Sequence, residues 1–331
     1  MNAPAELQKP LKTWSNLSAR RRKPSEYETV SVGLHTTTRD PDAPFELDPN
    51  FPLARWYKDF RNSSKLRHSD WNAFRDPQEM IYRVYNIIQD GQESFVFGLF
   101  DQMSERGHDS MLDQSWAEGL AGLYAPMRYL FHSLQMMSAY VTMMAPASTI
   151  SNCASYQTAD HFRWVSHTAY RTAELAKSYP NLGFGTGERG RWETDSAWKG
   201  LRQLVERGLV TWDWAEAFTV LNLVIKPAVE EGVMLSLADA ARSNGDTVLP
   251  LVVDSQLNDA RRHRRWASAL VALALEQDSN RAVLTQWIAK WRPMADQAIS
   301  GFCAALSDGE SRSDRARTSV SSFYATLGLI D

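Results

Sequence analysis

Cysteine is scarce in this chain of 331 residues: there are only Cys153 and Cys303, 150 positions apart. That excludes a disulfide framework and a cysteine-rich metal knuckle. The first thirty residues hold no apolar run of secretory type, so the pair is expected to be free thiols in a reducing cytoplasm. Basic charge is not in excess. The net charge is −3, which argues against a nucleic-acid binder, and the one basic run, Arg20-Arg21-Arg22-Lys23, reads as a solvated or partner-facing segment. A clean hydrophobic run is missing too. The stretch from Tyr129 to Ala159 carries no formal charge, but His132, Ser133, Gln135, Ser148, Asn152 and Gln157 interrupt it and Pro146 divides it. A membrane-spanning helix needs about twenty predominantly apolar residues, so no membrane segment is expected. Two buried helices with polar interiors fit the stretch better.

Catalytic signatures are equally sparse. There is no Gly-x-Ser-x-Gly elbow. Gly183-Phe184-Gly185-Thr186-Gly187 has neither a strand pattern before it nor Lys-Ser/Thr after it, so it is a loop and not a phosphate cradle. The seven histidines show no zinc spacing, and His132 and His167 read as satisfied core or interface histidines. No repeat of 20–50 residues and no strand alternation is present.

What is abundant is tryptophan, twelve residues spread from Trp14 to Trp291, which points to extensive buried contact. Residues 1–75 are proline-rich. Pro41, Pro44, Pro49 and Pro52 exclude a helix around them, while Trp14, Tyr27, Phe45, Trp56, Tyr57 and Trp71 are too many rings for a disordered linker. This segment is expected to be an arm lying on another surface, with Trp14, Trp56 and Tyr57 as candidate anchors to a partner.

Residues 76–306 then read as an all-α domain of unusually long helices. Asp76-Pro77-Gln78-Glu79 has the form of a capping box and predicts a helix to about Glu105, with Gly91 as a weak point. Further helices are predicted over about 110–124, 126–146, 147–177, 196–208, 213–242, 247–276 and 280–306, with kinks at Pro227 and Pro293. Residues 307–331 read as a polar tail ending in Phe323-Tyr324-Ala325-Thr326-Leu327.

Long helices with polar interiors suggest a carboxylate di-iron bundle. Such a bundle needs a Glu from each of two helices and a Glu-x-x-His pair from each of two others. That pair occurs once, at Glu105-Arg106-Gly107-His108. It falls at a helix end beside a glycine, where a surface role is the better reading. Two other places look like altered copies. Asp160-His161-Phe162-Arg163 has arginine where the histidine would be, and Asp259-Ala260-Arg261-Arg262-His263 has Ala260 where the carboxylate would be. If both face the interior, Asp160, Arg163, Lys226 (mid-helix beside Pro227), Ala260 and His263 are candidates for a charge cluster where irons would sit, with Asp160 paired to Arg163, Lys226 or both. The alternative is ordinary helices with charges facing solvent. No catalytic or metal-binding residue is assigned.

Several segments resemble one family. They are Lys9–Trp14, Lys23–Glu28, Tyr85–Ser94, Ala145–Cys153, Thr158–Trp164, His167–Thr172, Asp254–Leu257, Arg262–Trp266 and Lys290–Pro293. Over about residues 9–306, in one register, the chain resembles the β subunits of the hydroxylases of bacterial toluene- and phenol-type di-iron monooxygenases. The resemblance implies a ferritin-like (ribonucleotide-reductase-like) bundle with no metal of its own and a di-iron centre in a partner α subunit. It also implies an (αβγ)2 assembly served by a Rieske-type ferredoxin, a reductase and an effector protein, performing NADH-driven ring hydroxylation with O2. Two competing readings remain: a di-iron oxidase or hydroxylase in its own right, disfavoured by the missing Glu-x-x-His pairs, and a helical scaffold unrelated to oxygenases.

Overall fold

The computed structural model describes residues 23–31 and 52–329, and among them every regular element is helical. Two short helices come first, α1 (Glu26–Ser31) and α2 (Pro52–Tyr57). The bundle follows: α3 (Tyr82–Glu105), α4 (Gln114–Gly119), α5 (Met127–Met144), α6 (Ser148–Ser178), α7 (Glu188–Thr194) and α8 (Ser196–Leu209). Helix α9 spans residues 214–243 in changing registers. Trp214–Thr219, Lys226–Ala228 and Ser236–Ser243 are α-helical, joined by π-helical Val220–Ile225 and Val229–Leu235. Then come α10 (Val248–Ala274), α11 (Asp278–Cys303) and α12 (Gly309–Thr326).

The long helices form where periodicity places them. On α5 the buried Leu130, Leu134, Met137, Val141 and Met144 recur at steps of three and four, a single apolar stripe. Each such side chain contributes about 1.5–3 kcal/mol by leaving water. The short Ala145-Pro146-Ala147 connection returns the chain onto α6, which packs along α5. At 31 residues, α6 is about 46 Å long. Helices α3, α6 and α10 pack on one another, and α9 meets α10 as well as α8, α11 and α12. No helix among the described residues is long and apolar enough to cross a membrane, and the uncharged 129–159 stretch is the expected pair, α5 and α6.

Four local expectations are corrected. The helix after Asp76 begins only at Tyr82. Asp76 caps a turn instead, accepting from the Gln78 and Met80 amides at 3.0 Å each. Glu79 takes a left-handed φ of 46° and pairs with Arg75 at 2.7 Å, so no capping box forms. Gly91 does not interrupt α3. Around Pro227 the helix widens into π turns on both sides, one recognised way of absorbing a lost N–H. The 307–331 segment is largely helix α12, with Ala316, Val320 and Tyr324 forming a buried stripe four residues apart. Asp246 caps the start of α10, accepting from the Val248 and Leu249 amides at 3.1 Å each.

Candidate functional site

The buried face of α6 is polar: Gln157, Asp160, His161, His167, Thr168 and Arg171 are all buried. A buried polar group costs free energy unless it is hydrogen-bonded, so this face dictates a network, and Asp160 is its centre. One carboxylate oxygen accepts from Tyr85 Oη at 2.9 Å and Gln89 Nε2 at 3.0 Å, with Arg163 Nη1 at 3.5 Å. The other accepts from Arg262 Nη2 and from His263 Nε2, the latter at 2.7 Å.

Asp259 on α10 is the second anion. It receives Gln89 Nε2 at 3.0 Å, Arg163 Nη1 at 3.1 Å, Trp164 Nε1 at 3.1 Å and Arg262 Nη2 at 3.2 Å. Arg163 extends the network outward to Glu93 at 2.6 Å, which also contacts His167 Nε2 at 2.9 Å. Two aspartates and two arginines thus neutralise one another inside the α3–α6–α10 packing, with Gln89 bridging the aspartates.

Burial pushes the Asp160 carboxyl above its ordinary range against the opposing pull of Arg262. Asp259 moves the same way, from burial and from the charge of Asp160. Burial, followed by the charge of Lys226, pushes both His161 and His263 well below the ordinary histidine value, so both rings are neutral at pH 7.

Asp160, Arg163 and His263 therefore meet, as the spacing predicted. Lys226 is buried beside them but does not bond Asp160. Its ammonium lies 2.8 Å from Glu230, one helical turn on, and 5.1 Å from the centre of the Trp164 ring. Asp160 turns instead to Arg262, which sequence reasoning passed over. Ala260 is buried and apolar and takes no part. The misses carried a signal: Asp259, Arg262 and His263 share one face of α10 by three- and four-residue spacing, as Tyr85 and Gln89 do on α3.

Of the anchor candidates, Trp14 lies outside the described residues. Trp56 and Tyr57 pack against this chain's own core. Trp56 donates to Tyr140 Oη at 3.1 Å and stands edge-on to Trp212 at 5.2 Å. Both residues thus make contacts within this chain, where Tyr140 and Trp212 offer the Trp56 indole an acceptor and a ring, and both keep part of their surface exposed. His132 is exposed on α5, not buried. The lone Glu-x-x-His is superficial, with Glu105 exposed at the end of α3 and His108 bonded to Asp109 at 3.1 Å.

Among the described residues no three histidines, cysteines or carboxylates are gathered to hold a metal. The donors that do converge are spent: both Asp160 oxygens face cationic or N–H donors, and His263 gives its Nε2 hydrogen to Asp160. The residues do not fit a di-iron centre.

A family model described as Methane/Phenol/Alkene Hydroxylase matches residues 56–278. The chain belongs to that family. It is 54% identical over 302 residues to the hydroxylase component subunit beta of the toluene-4-monooxygenase system of Ectopseudomonas mendocina, covering 91% of this chain and 92% of that one. It is 23% identical to the oxygenase component DmpL of phenol 2-monooxygenase from Pseudomonas sp. (strain CF600), over 96% of this chain and 94% of that one. A solved structure of toluene 4-monooxygenase with toluene bound in its resting active site superposes with a TM-score of 0.87 at 53% identity, over 92% of this chain and 100% of the matched chain. The fold is the all-α, ferritin-like bundle of such hydroxylase subunits, and these relatives are components of multicomponent monooxygenase systems.

Proposed function

We propose that this chain is the non-catalytic β subunit of the hydroxylase of a multicomponent aromatic monooxygenase, carrying no iron and supporting an iron-bearing α subunit. One observation carries the reading: the end-to-end likeness to a toluene-4-monooxygenase hydroxylase β subunit. The geometry supports it, because the bundle interior is filled by the Asp160–Arg262–Asp259–Arg163 network. The reaction served by the whole complex is NADH- and O2-dependent hydroxylation of an aromatic ring, with electrons arriving through a reductase and a Rieske-type ferredoxin and tuning by an effector protein. In an (αβγ)2 assembly this chain needs apolar surface to spare. Helix α3 offers it, with Ile87 66%, Phe95 51% and Ile88 39% exposed on one side of the helix, a grouping that suits subunit contact.

The test is co-expression with the larger hydroxylase chain, followed by metal analysis of each subunit and an assay of toluene or phenol hydroxylation. The expected result is no stoichiometric iron on this chain and turnover only when the larger chain is present. Two irons per chain, or turnover by this chain with the electron-transfer proteins alone, would overturn the proposal in favour of a di-iron enzyme in its own right.

A further inference from the structure

Helix α3 carries two apolar faces. One, with Tyr85, Gln89, Val96, Leu99 and Phe100, is buried against α6 and α10. The other, a row of Val84, Ile87, Ile88 and Phe95, lies exposed. At about 100° per residue these four fall within roughly 60° of Gly91 around the helix. Beside this row α3 and α10 run antiparallel, tied by Gln89 to Asp259 at 3.0 Å and by Ser255 to Gln92 at 3.5 Å. Between them they leave a trough of about 390 Å3. Its two walls repeat one spacing. Ile88, Gly91 and Phe95 line it from α3, and Leu251, Asp254 and Asn258 from α10, each set at steps of three and then four residues. Such a straight channel between two helices is filled by a third helix, anchored at the same spacing.

The glycines and the charges describe the occupant. A glycine inside an exposed helix weakens it relative to alanine, yet a Cβ at Gly91 or Gly98 would meet nothing within 4 Å. No contact within this chain requires them; they thin α3 where another backbone would lie closest. Asp90 and Asp101 stand on the flank of the row away from α10, exposed and without a partner among the described residues. On the α10 wall Asp254 reaches only Arg242, at 3.8 Å, and Arg242 is bonded to Asp239 at 2.9 Å. The neighbouring cations are engaged, Arg83 with Glu26 at 2.6 Å and Arg261 with Asn258 at 2.6 Å. The charge left over is therefore negative. A second copy of this chain paired about Gly91 would set Asp90 near its own counterpart, like against like, whereas a helix with basic flanks would neutralise both sides of the trough.

We propose that the α3–α10 trough receives a helix of another hydroxylase subunit, apolar along one face and carrying lysine or arginine on its flanks, with its backbone closest to this chain at Gly91. The proposal rests on the reading of this chain as a hydroxylase β subunit and names where and how that subunit is gripped. Ile88, Phe95 and Leu251 supply the apolar area, the bare Gly91 sets the depth, and Asp90, Asp101 and Asp254 select the charge of the partner.

The experiment co-expresses the full-length chain with the other hydroxylase chains. Gly91→Leu fills the trough without touching this chain's own packing, and leucine is the better helix former, so the isolated variant should melt no lower than the unsubstituted chain. Co-purification of the larger hydroxylase chain should nonetheless fall by about tenfold or more, the scale of a blocked contact in an interface core. Asp90→Lys together with Asp101→Lys should weaken it too, by setting like charge against the partner's flanks. A photo-cross-linking benzoylphenylalanine placed at Phe95 identifies the occupant independently of these variants. It is expected to join a segment of another hydroxylase subunit with apolar residues at helical spacing and lysine or arginine beside them. A cross-link to a second copy of this chain, to a segment without basic flanks or to nothing overturns the proposal, as does undiminished co-purification of a folded Gly91→Leu chain. An unsubstituted chain that does not co-purify with the larger hydroxylase chain defeats the functional reading itself, a separate outcome.

Discussion

Asp160→Asn changes almost no volume and removes one negative charge from the middle of the network. The aspartate accepts from Tyr85 and Gln89 on one oxygen and from Arg262 and His263 on the other, with Arg163 at 3.5 Å. An asparagine keeps one acceptor. Turned toward Arg262 and His263, it sets its NH2 against the Gln89 amide and leaves only the Tyr85 hydroxyl able to accept. Turned the other way, it points two donors at an arginine. Breaking a buried ion pair from one side costs about 3–5 kcal/mol. Both arginines keep Asp259, at 3.1 and 3.2 Å, so the lower end applies, about 3 kcal/mol. At roughly 2 °C per kcal/mol for a chain of this size, the melting temperature should fall by about 6 °C. The assay is thermal unfolding by far-UV circular dichroism at one scan rate, beside the unsubstituted chain, in low salt and at 0.5 M NaCl. Because Asp160 is fully buried, the loss should persist in high salt. A loss below about 1 kcal/mol, or one that salt abolishes, is the behaviour of an exposed pair and would refute the reasoning.

Acidification should destabilise the fold through His161, because burial and then Lys226 hold its folded pKa well below 6.5. The unfolded chain therefore binds a proton there that the native state does not, and stability present above about pH 6.5 is lost as the pH falls, by up to about 1.4 kcal/mol per unit. His161→Gln should flatten the urea-midpoint profile by that slope; an unchanged slope would show the ring already charged in the fold. Trp56→Ala should cost about 2 kcal/mol of the chain's own stability, below the core range for tryptophan because the ring is half-buried. Denaturant titration checks this, and intact stability with weakened partner affinity would restore the partner-contact reading. Gly200→Ala places a Cβ 2.8 Å from the Ala298 backbone, so α8 and α11 must separate. A loss of about 1–3 kcal/mol is expected, measured by thermal melting, and a neutral outcome would mean the two helices are not in such close contact.

Helices α6 and α10 were legible because their buried positions recur every three or four residues and Pro146, Pro180 and Gly245 punctuate them. Helix α12 carried the same period in Ala316, Val320 and Tyr324, but the serines and charges between them read as a tail. Asp76 misled because a capping box and an Asx-type turn begin with the same residues, and the choice fell to Glu79, whose left-handed backbone no local pattern announces.

By itself, the sequence determined that the chain is all-α, that it lacks the paired Glu-x-x-His ligands of a di-iron bundle, and that Asp160 and Arg163 share a helix face; these follow from composition and from spacing along one helix. Only the tertiary structure decided who meets whom across helices. Asp160 bonds Arg262 and Tyr85, which lie 102 and 75 positions away, Trp56 is claimed by Tyr140, and Lys226 is drawn to Glu230 and the Trp164 face. The physical reason is that a buried charge takes whichever partner the packing brings within about 3 Å, and that distance is set by how helices far apart in sequence lie against one another.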